Sequence, residues 1–299
     1  MKRLNFSRQK KHQSAFTLIE IMVATVVMVI LTGLVIQITS EVLKVWNRSS
    51  GKLTANSEAR IVMDLLTQDL EAAVFRNNNM TWLESEQVPL DDPFGSGSNF
   101  KTTELKLFSP AQDRPTGPGD ICGISYLLKY SDPITGAESG DERTFILYRN
   151  VIDPRTTFED LMGGEENQKK SFNNTLWSDD STIGEKGRNF LASNIVDFRV
   201  DFYVEDDGIT GTDTLVSAYT EKTVYGGDNA TVGPQSSGDN ALKKQLAYAE
   251  ITLVIISDEA LQVIQNDARA QTGYETDESY ISANSEVYTR RVNFLARPL

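Results

Sequence analysis

The two residue types most often found doing enzyme chemistry occur once each in this chain, as His12 and Cys122. His12 lies in a basic N-terminal stretch, so a chain that loses this stretch has no histidine. Serine-histidine-aspartate, cysteine-histidine and histidine-zinc chemistry then drop out together. Cys122 stands in Asp120-Ile121-Cys122-Gly123-Ile124-Ser125. A lone cysteine makes no intramolecular disulfide, and in this apolar setting it reads as a small buried hydrophobe rather than a reactive thiol. What remains is carboxylate chemistry. With 42 Asp and Glu in 299 residues, paired acids are common by chance. The densest cluster is Glu205-Asp206-Asp207-Gly208-Ile209-Thr210-Gly211-Thr212-Asp213. Asp206, Asp207 and Asp213 are hard oxygen donors of the kind Ca²⁺ takes, but their spacing is not that of an EF-hand. A solvated hairpin loop is the default reading and a calcium site the alternative. No nucleotide-binding or hydrolase signature is present, so an enzyme is not expected and no cofactor is implied.

The carboxylate in the most costly place is Glu20. An apolar run opens at Phe16, and from Ile21 to Ser40 it carries no charge. That is about the 20 helical residues that cross a bilayer core. A secretory signal would have a shorter apolar stretch followed by a small-residue cleavage site. Here Glu41, Lys44 and Arg48 instead continue a helical pattern. Glu20 sits four residues inside the run, where an ionised carboxylate costs about 2.5 kcal/mol or more and calls for a partner. The first fifteen residues hold Lys2, Arg3, Arg8, Lys10 and Lys11 and no acid. These cations place the N-terminus in the cytoplasm and the large C-terminal portion on the far side.

Ser14-Ala15-Phe16-Thr17-Leu18-Ile19-Glu20, followed by the uncharged span, resembles the N-terminal signal of type IV pilins and pseudopilins. The resemblance implies cleavage by a prepilin peptidase between Ala15 and Phe16, methylation of the new Phe16 amine, and a role for Glu20 in assembly. It also implies an inner-membrane, single-pass protein whose C-terminal domain is periplasmic. Its partners would be the peptidase, other pilin-like subunits and an inner-membrane assembly platform. The family usually has Gly before the cut, where this chain has Ala15.

The elements that position these residues follow from periodicity. Val42, Leu43, Val45 and Trp46 prolong the helix. After Ser49-Ser50-Gly51, Ala59, Val62, Met63, Leu66, Leu70, Ala73 and Val74 recur at three- and four-residue steps, an amphipathic pattern. Gly33 and Gly51 predict a bend or break, and Asn77-Asn78-Asn79 predicts the end. Pro89 to Ser98 reads as loop. Val196, Phe198, Val200, Phe202 and Val204 alternate with polar neighbours, the clearest strand pattern. Further strands are predicted at 104–109, 121–130, 144–151, 246–256 and 286–295. Ser257-Asp258-Glu259 opens a short helix before the last strand. Tyr225-Gly226-Gly227-Asp228 to Asp239 reads as a mobile insertion. The fold class is α+β, a long N-terminal helix packed on an antiparallel sheet domain. Its parts are a leader at 1–15, a transmembrane helix at 16–40, the periplasmic part of the helix at 41–76 and a β-rich domain at 77–299.

Removing the five leader cations leaves 24 basic and 42 acidic residues, a charge of −18. Such a body repels phosphate backbones and argues against nucleic acid as a partner. Within the pilin class, Leu65 to Val74, Phe190 to Asn194 and Tyr288 to Phe294 are similar to the J-type minor pseudopilin of type II secretion and to protein C of the Verru_Chthon cassette. A filament or filament-tip subunit is thus the leading expectation. A membrane-tethered periplasmic binding module or adhesin is the alternative, and a tethered acid-based hydrolase has only the abundance of carboxylates behind it.

Overall fold

In the computed structural model one helix, α1, runs from Leu18 to Glu71. The structure describes residues 17–75, 81–90, 101–111, 113, 118–134, 136, 143–162, 172, 175–177, 190–204, 214–217, 223–226, 246–265 and 277–294. The helix is unbroken at Gly33 and at Gly51, where a bend or break is predicted. A glycine costs a helix about 1 kcal/mol relative to alanine, too little by itself to interrupt a helix of 54 residues. Gly51 instead marks a change of environment, because the chain divides into two compact units, Met1–Ser50 and Gly51–Leu299.

In the first unit the helix is exposed throughout its described length. Its threonine hydroxyls bond back to the helix itself, Thr25 to the Met22 carbonyl, Thr32 to that of Met28 and Thr39 to that of Val35, at 2.7–2.8 Å. No hydroxyl of these three is left facing an apolar solvent unbonded.

In the second unit the predicted amphipathic stripe becomes core. Ala59, Val62, Met63, Leu66 and Leu70 are at most 5% exposed and share one hydrophobic cluster with both sheets. The helix ends five residues before the predicted Arg76. Ala73 donates to the Leu70 carbonyl, and the Val74 N–H leaves the helix for the Phe108 carbonyl at 2.8 Å. A backbone donor captured by a strand cannot continue the helical ladder.

Among the described residues, ten strands form two antiparallel sheets. They are β1 Thr81–Pro89, β2 Lys101–Ser109, β3 Cys122–Ser131, β4 Thr144–Ile152, β5 Phe190–Ser193, β6 Ile195–Val204, β7 Thr214–Ser217, β8 Thr223–Gly226, β9 Leu246–Ile256 and β10 Ser285–Asn293. The larger sheet has the order β5-β4-β3-β2-β1-β8 and the smaller β10-β9-β6-β7. Phe198, Val200 and Phe202 point into the core while Arg199, Asp201 and Tyr203 stay half-buried, as the alternation predicts. The ring of Phe198 lies 6.3 Å from that of Tyr126 in the facing sheet. Cys122 is buried in β3.

Several elements differ from the sequence reading, and the short β7 (Thr214–Ser217) lies in no predicted strand. Strand β1 is in no predicted strand and its last residue, Pro89, opens the predicted loop; Trp82, Leu83, Glu84 and Ser85 are all buried and so show no alternation. Phe190–Ser193 is a strand in its own right, although the reading began one only after Asn194. Tyr225 and Gly226, expected in a mobile insertion, belong to β8 and pair with Leu83 and Thr81 of β1. The rest of that insertion lies outside the described residues. Beside the predicted helix, now α3 (Asp258–Gln265) after the short α2 (Pro154–Thr156), a further helix α4 spans Asp277–Asn284. The Ser257 hydroxyl caps α3, accepting the Ala260 N–H at 3.3 Å.

β5 and β6 are separated by one residue yet lie in different sheets. Asn194 makes the switch with φ +60°, a conformation that asparagine tolerates better than most residues. Its N–H donates to Phe145 at 2.7 Å, and its carbonyl accepts from Ile256 at 2.9 Å. One residue thus stitches one sheet to the other.

Candidate functional site

Thr17 and Glu20 close on one another at the start of α1. The Thr17 N–H and hydroxyl both donate to Glu20 Oε2, at 2.9 and 3.0 Å, and the Glu20 N–H reaches Thr17 Oγ1 at 3.4 Å. This is a capping box, two orphan helix donors satisfied reciprocally by a Thr-x-x-Glu pair. The acid that looked unpartnered in the apolar run therefore has donors within its own chain. Its sequence signal is the Thr-x-x-Glu spacing of Thr17-Leu18-Ile19-Glu20 just ahead of an apolar run. Ala15 and Phe16 lie outside the described residues.

The helix beyond Glu20 is long and apolar enough to cross a membrane, and none of its most apolar window is buried. Leu18, Ile19, Met28, Val29 and Val35 are all more than 60% exposed. In water that surface would be a liability of a kind soluble monomers avoid, whereas lipid or other apolar helices accommodate it.

Within the body, Asp69 of α1 is met by two strands. Arg149 donates through Nε to Asp69 Oδ2 at 2.8 Å and through Nη2 to Oδ1 at 3.1 Å, while the Tyr126 hydroxyl donates to Oδ2 at 2.5 Å. Arg149 Nη1 also reaches Asp113 Oδ2 at 2.6 Å. Burial by itself pulls the guanidinium's pKa down, but the hydrogen bonds and charge of Asp69 outweigh it and hold Arg149 above its ordinary value. Burial, and then the Asp69 charge, push the Tyr126 phenol well above its ordinary 10.0. Asp69, Tyr126 and Arg149 form a buried anchor between helix and sheet.

A second set of contacts joins α1 to β10. Lys52 pairs with Glu286 at 2.6 Å, the Tyr288 hydroxyl donates to Asn56 at 2.7 Å, and Arg290 pairs with Asp64 at 2.6 Å. The hydrogen bond from Lys52 holds the Glu286 carboxyl below its usual range, while burial and then Glu286 raise the Tyr288 phenol to about 12.

The candidate calcium ligands Asp206, Asp207 and Asp213 lie outside the described residues. Among the described residues no group of three or more metal-ligating side chains comes together.

Residues 10–36 match the family model of the prokaryotic N-terminal methylation motif. No curated protein and no solved structure matches the chain. The matched segment contains the Thr17–Glu20 cap and most of the apolar span. With the exposed apolar helix that follows, it supports a type IV pilin-like protein, processed by a prepilin peptidase and anchored in a membrane by a single pass.

Proposed function

We propose that this chain is a minor, pseudopilin-type structural subunit that assembles through α1 into a type II secretion or type IV pilus-like filament or its tip. The J-type minor pseudopilin and the Verru_Chthon cassette protein C are the branches it most resembles. In this reading the peptidase cuts between Ala15 and Phe16 and Phe16 becomes the methylated N-terminus. The leader faces the cytoplasm of an inner membrane and the β-rich body stands in the periplasm.

The observation that carries the proposal is the methylation motif at residues 10–36, which holds an acid where an ordinary anchor would have none. Glu20 has two uses. In the lone subunit its carboxylate accepts from Thr17, which makes its presence in lipid tolerable. In the filament it would exchange these donors for the Phe16 amine of a neighbour, so that each buried charge meets its opposite only when subunits are in register. The body contributes shape and a charge of −18 rather than catalysis.

Intact-mass measurement and N-terminal sequencing of the protein extracted from membranes test the proposal. A chain beginning at Phe16 with one added methyl group is expected. Retention of Met1, or a cut beyond Ser40, would remove its main support.

A further inference from the structure

The strands at the sheet edges are not alike. Among the described residues the edge strands are β5 and β8 of the larger sheet and β7 and β10 of the smaller. The first three are four residues long, and the pairings of β5 and β8 each contain a register shift. Short, irregular edges are a usual defence against pairing with another chain. β10 lacks that defence. It has nine residues in unbroken register against β9, with no proline among them.

The register fixes which groups β10 turns outward. The Phe294 N–H donates to the Ala247 carbonyl at 3.1 Å, and this pair continues the ladder that runs from Ser285↔Ile256 to Asn293↔Tyr248. Antiparallel pairs alternate between bonded and unbonded, so Glu286, Tyr288, Arg290 and Val292 bond to β9. Ser285, Val287, Thr289, Arg291 and Asn293 then turn N–H and C=O away from the sheet. Side chains divide the same way. Val292 is buried, while Glu286, Tyr288 and Arg290 contact α1 through Lys52, Asn56 and Asp64. Val287, Thr289 and Arg291 are exposed, Val287 by 64%. Charge can also guard an edge, but Glu286 and Arg290 are already paired with the helix. Arg291 lies against the Tyr248 ring, 3.4 Å from its centre.

We propose that this edge receives an extended strand of another protein, which adds to the smaller sheet beside β10. Backbone hydrogen bonds to Val287, Thr289 and Arg291 supply affinity. Specificity comes from exposed side chains four positions apart, so the incoming strand sets an apolar residue against Val287 and an acid against Arg291. A second copy of β10 does not meet this requirement. An outward residue pairs with an outward residue, and Ser285, Val287, Thr289, Arg291 and Asn293 include no acid. The other edge strands of a copy, at four residues each, are too short to face Val287 and Arg291 together. The occupant is therefore a different polypeptide. The inference goes beyond assembly through α1 and does not depend on Glu20.

Residue-resolved amide hydrogen exchange tests it on the full-length protein, labelled either alone in detergent or in its own membranes. Alone, the amides of Val287, Thr289 and Arg291 should exchange fast while those of Tyr288 and Arg290 are protected by β9. In membranes all of them should be protected. Thr289→Pro removes one outward N–H and no bond to β9, so the fold should survive while Val287 and Arg291 lose their protection in membranes. Arg291→Glu should lose it too, without a proline, and regain it when the partner's facing acid is changed to lysine. A photo-crosslinker in place of Thr289 identifies the occupant. The expected adduct is to a different polypeptide, on a segment with an apolar and an acidic residue four positions apart. Fast exchange at Val287, Thr289 and Arg291 in membranes, their protection in the lone chain, or an adduct to a second copy would overturn the proposal. Assembly that persists in Glu20→Ala removes the filament reading and leaves this one, whereas fast exchange in membranes removes this one alone.

Discussion

Arg149 on β4 and Asp69 near the end of α1, 80 positions apart in the chain, are joined by two hydrogen bonds of 2.8 and 3.1 Å in the interior of the body. Both side chains are at most 6% exposed. The pair fixes the rotation of α1 on the larger sheet, because any other helix face turned inward would bury one charge without its partner.

Asp69→Ala is therefore expected to cost roughly 3–5 kcal/mol, the range for breaking one side of a buried ion pair. Replacing Asp69, Tyr126 and Arg149 together by apolar residues of similar size should recover much of that loss. Urea denaturation of both variants checks this. The raised Tyr126 phenol adds a pH dependence with a definite sign. Its contribution is present below the ordinary tyrosine value of 10.0 and is lost as pH rises toward the higher folded value. Stability should thus fall above about pH 10, and Tyr126→Phe should flatten that limb.

Gly123→Ala tests the cover over β3. A Cβ at this position would stand 3.0 Å from Trp177 and 3.1 Å from Leu161. Trp177 is held there by its carbonyl accepting from the Ser125 hydroxyl at 2.6 Å and by stacking on Phe172. Overpacking of this kind costs about 1–3 kcal/mol. The expected readout is a red-shifted tryptophan emission together with a lower unfolding midpoint.

Glu58 sits where α1 meets the switch between sheets, accepting from the Ser193 N–H at 3.2 Å. Burial first, and the Asp258 charge with it, raise its carboxyl above the ordinary 4.5, against the Ser193 bonds, which lower it. A raised folded value contributes stability below the unfolded pKa that is lost as pH rises through the folded one. Glu58→Gln keeps the acceptor and removes the charge. It should be more stable than wild type at neutral pH, with the gain vanishing as pH falls below about 4.5. Thermal melts across that interval measure it.

A fragment from about Asn47 onward should fold as a soluble acidic domain, since Gly51–Leu299 is a compact unit with its own core. Circular dichroism with and without EDTA checks this. A requirement for metal would bring Asp206, Asp207 and Asp213 back as ligands.

Glu20→Ala should leave membrane insertion and cleavage before Phe16 intact, because the span becomes more apolar, while filament incorporation is lost. Thr17→Val removes only the hydroxyl half of the cap and should weaken the first turn by about 1 kcal/mol. Crosslinking of membrane extracts compares the three chains. Unchanged assembly in Glu20→Ala would reduce Glu20 to an acid near the membrane surface.

Much of this molecule was legible without a structure because its signals are local. A span free of charge, a stripe recurring at helical steps through Val62, Leu66 and Leu70, and the alternation of Val196 to Phe202 each report the solvent a segment meets. That decides helix from strand before any partner is known. The Thr17–Glu20 cap was equally local, and Asp258 to Gln265 was found from its cap. Tertiary structure alone decided the rest, where one segment's environment is made by another. β1 is buried on both faces by neighbours and so lacks the alternation a strand shows. β8 is short and exists because β1 offers it a free edge. Asn194 turns the chain from one sheet to the other because Phe145 and Ile256 wait on either side. Asp69, Tyr126 and Arg149 look like three ordinary polar residues until folding removes the water around them. At that point each needs the others, and pairings across 57 and 80 positions become as binding as any neighbour in sequence.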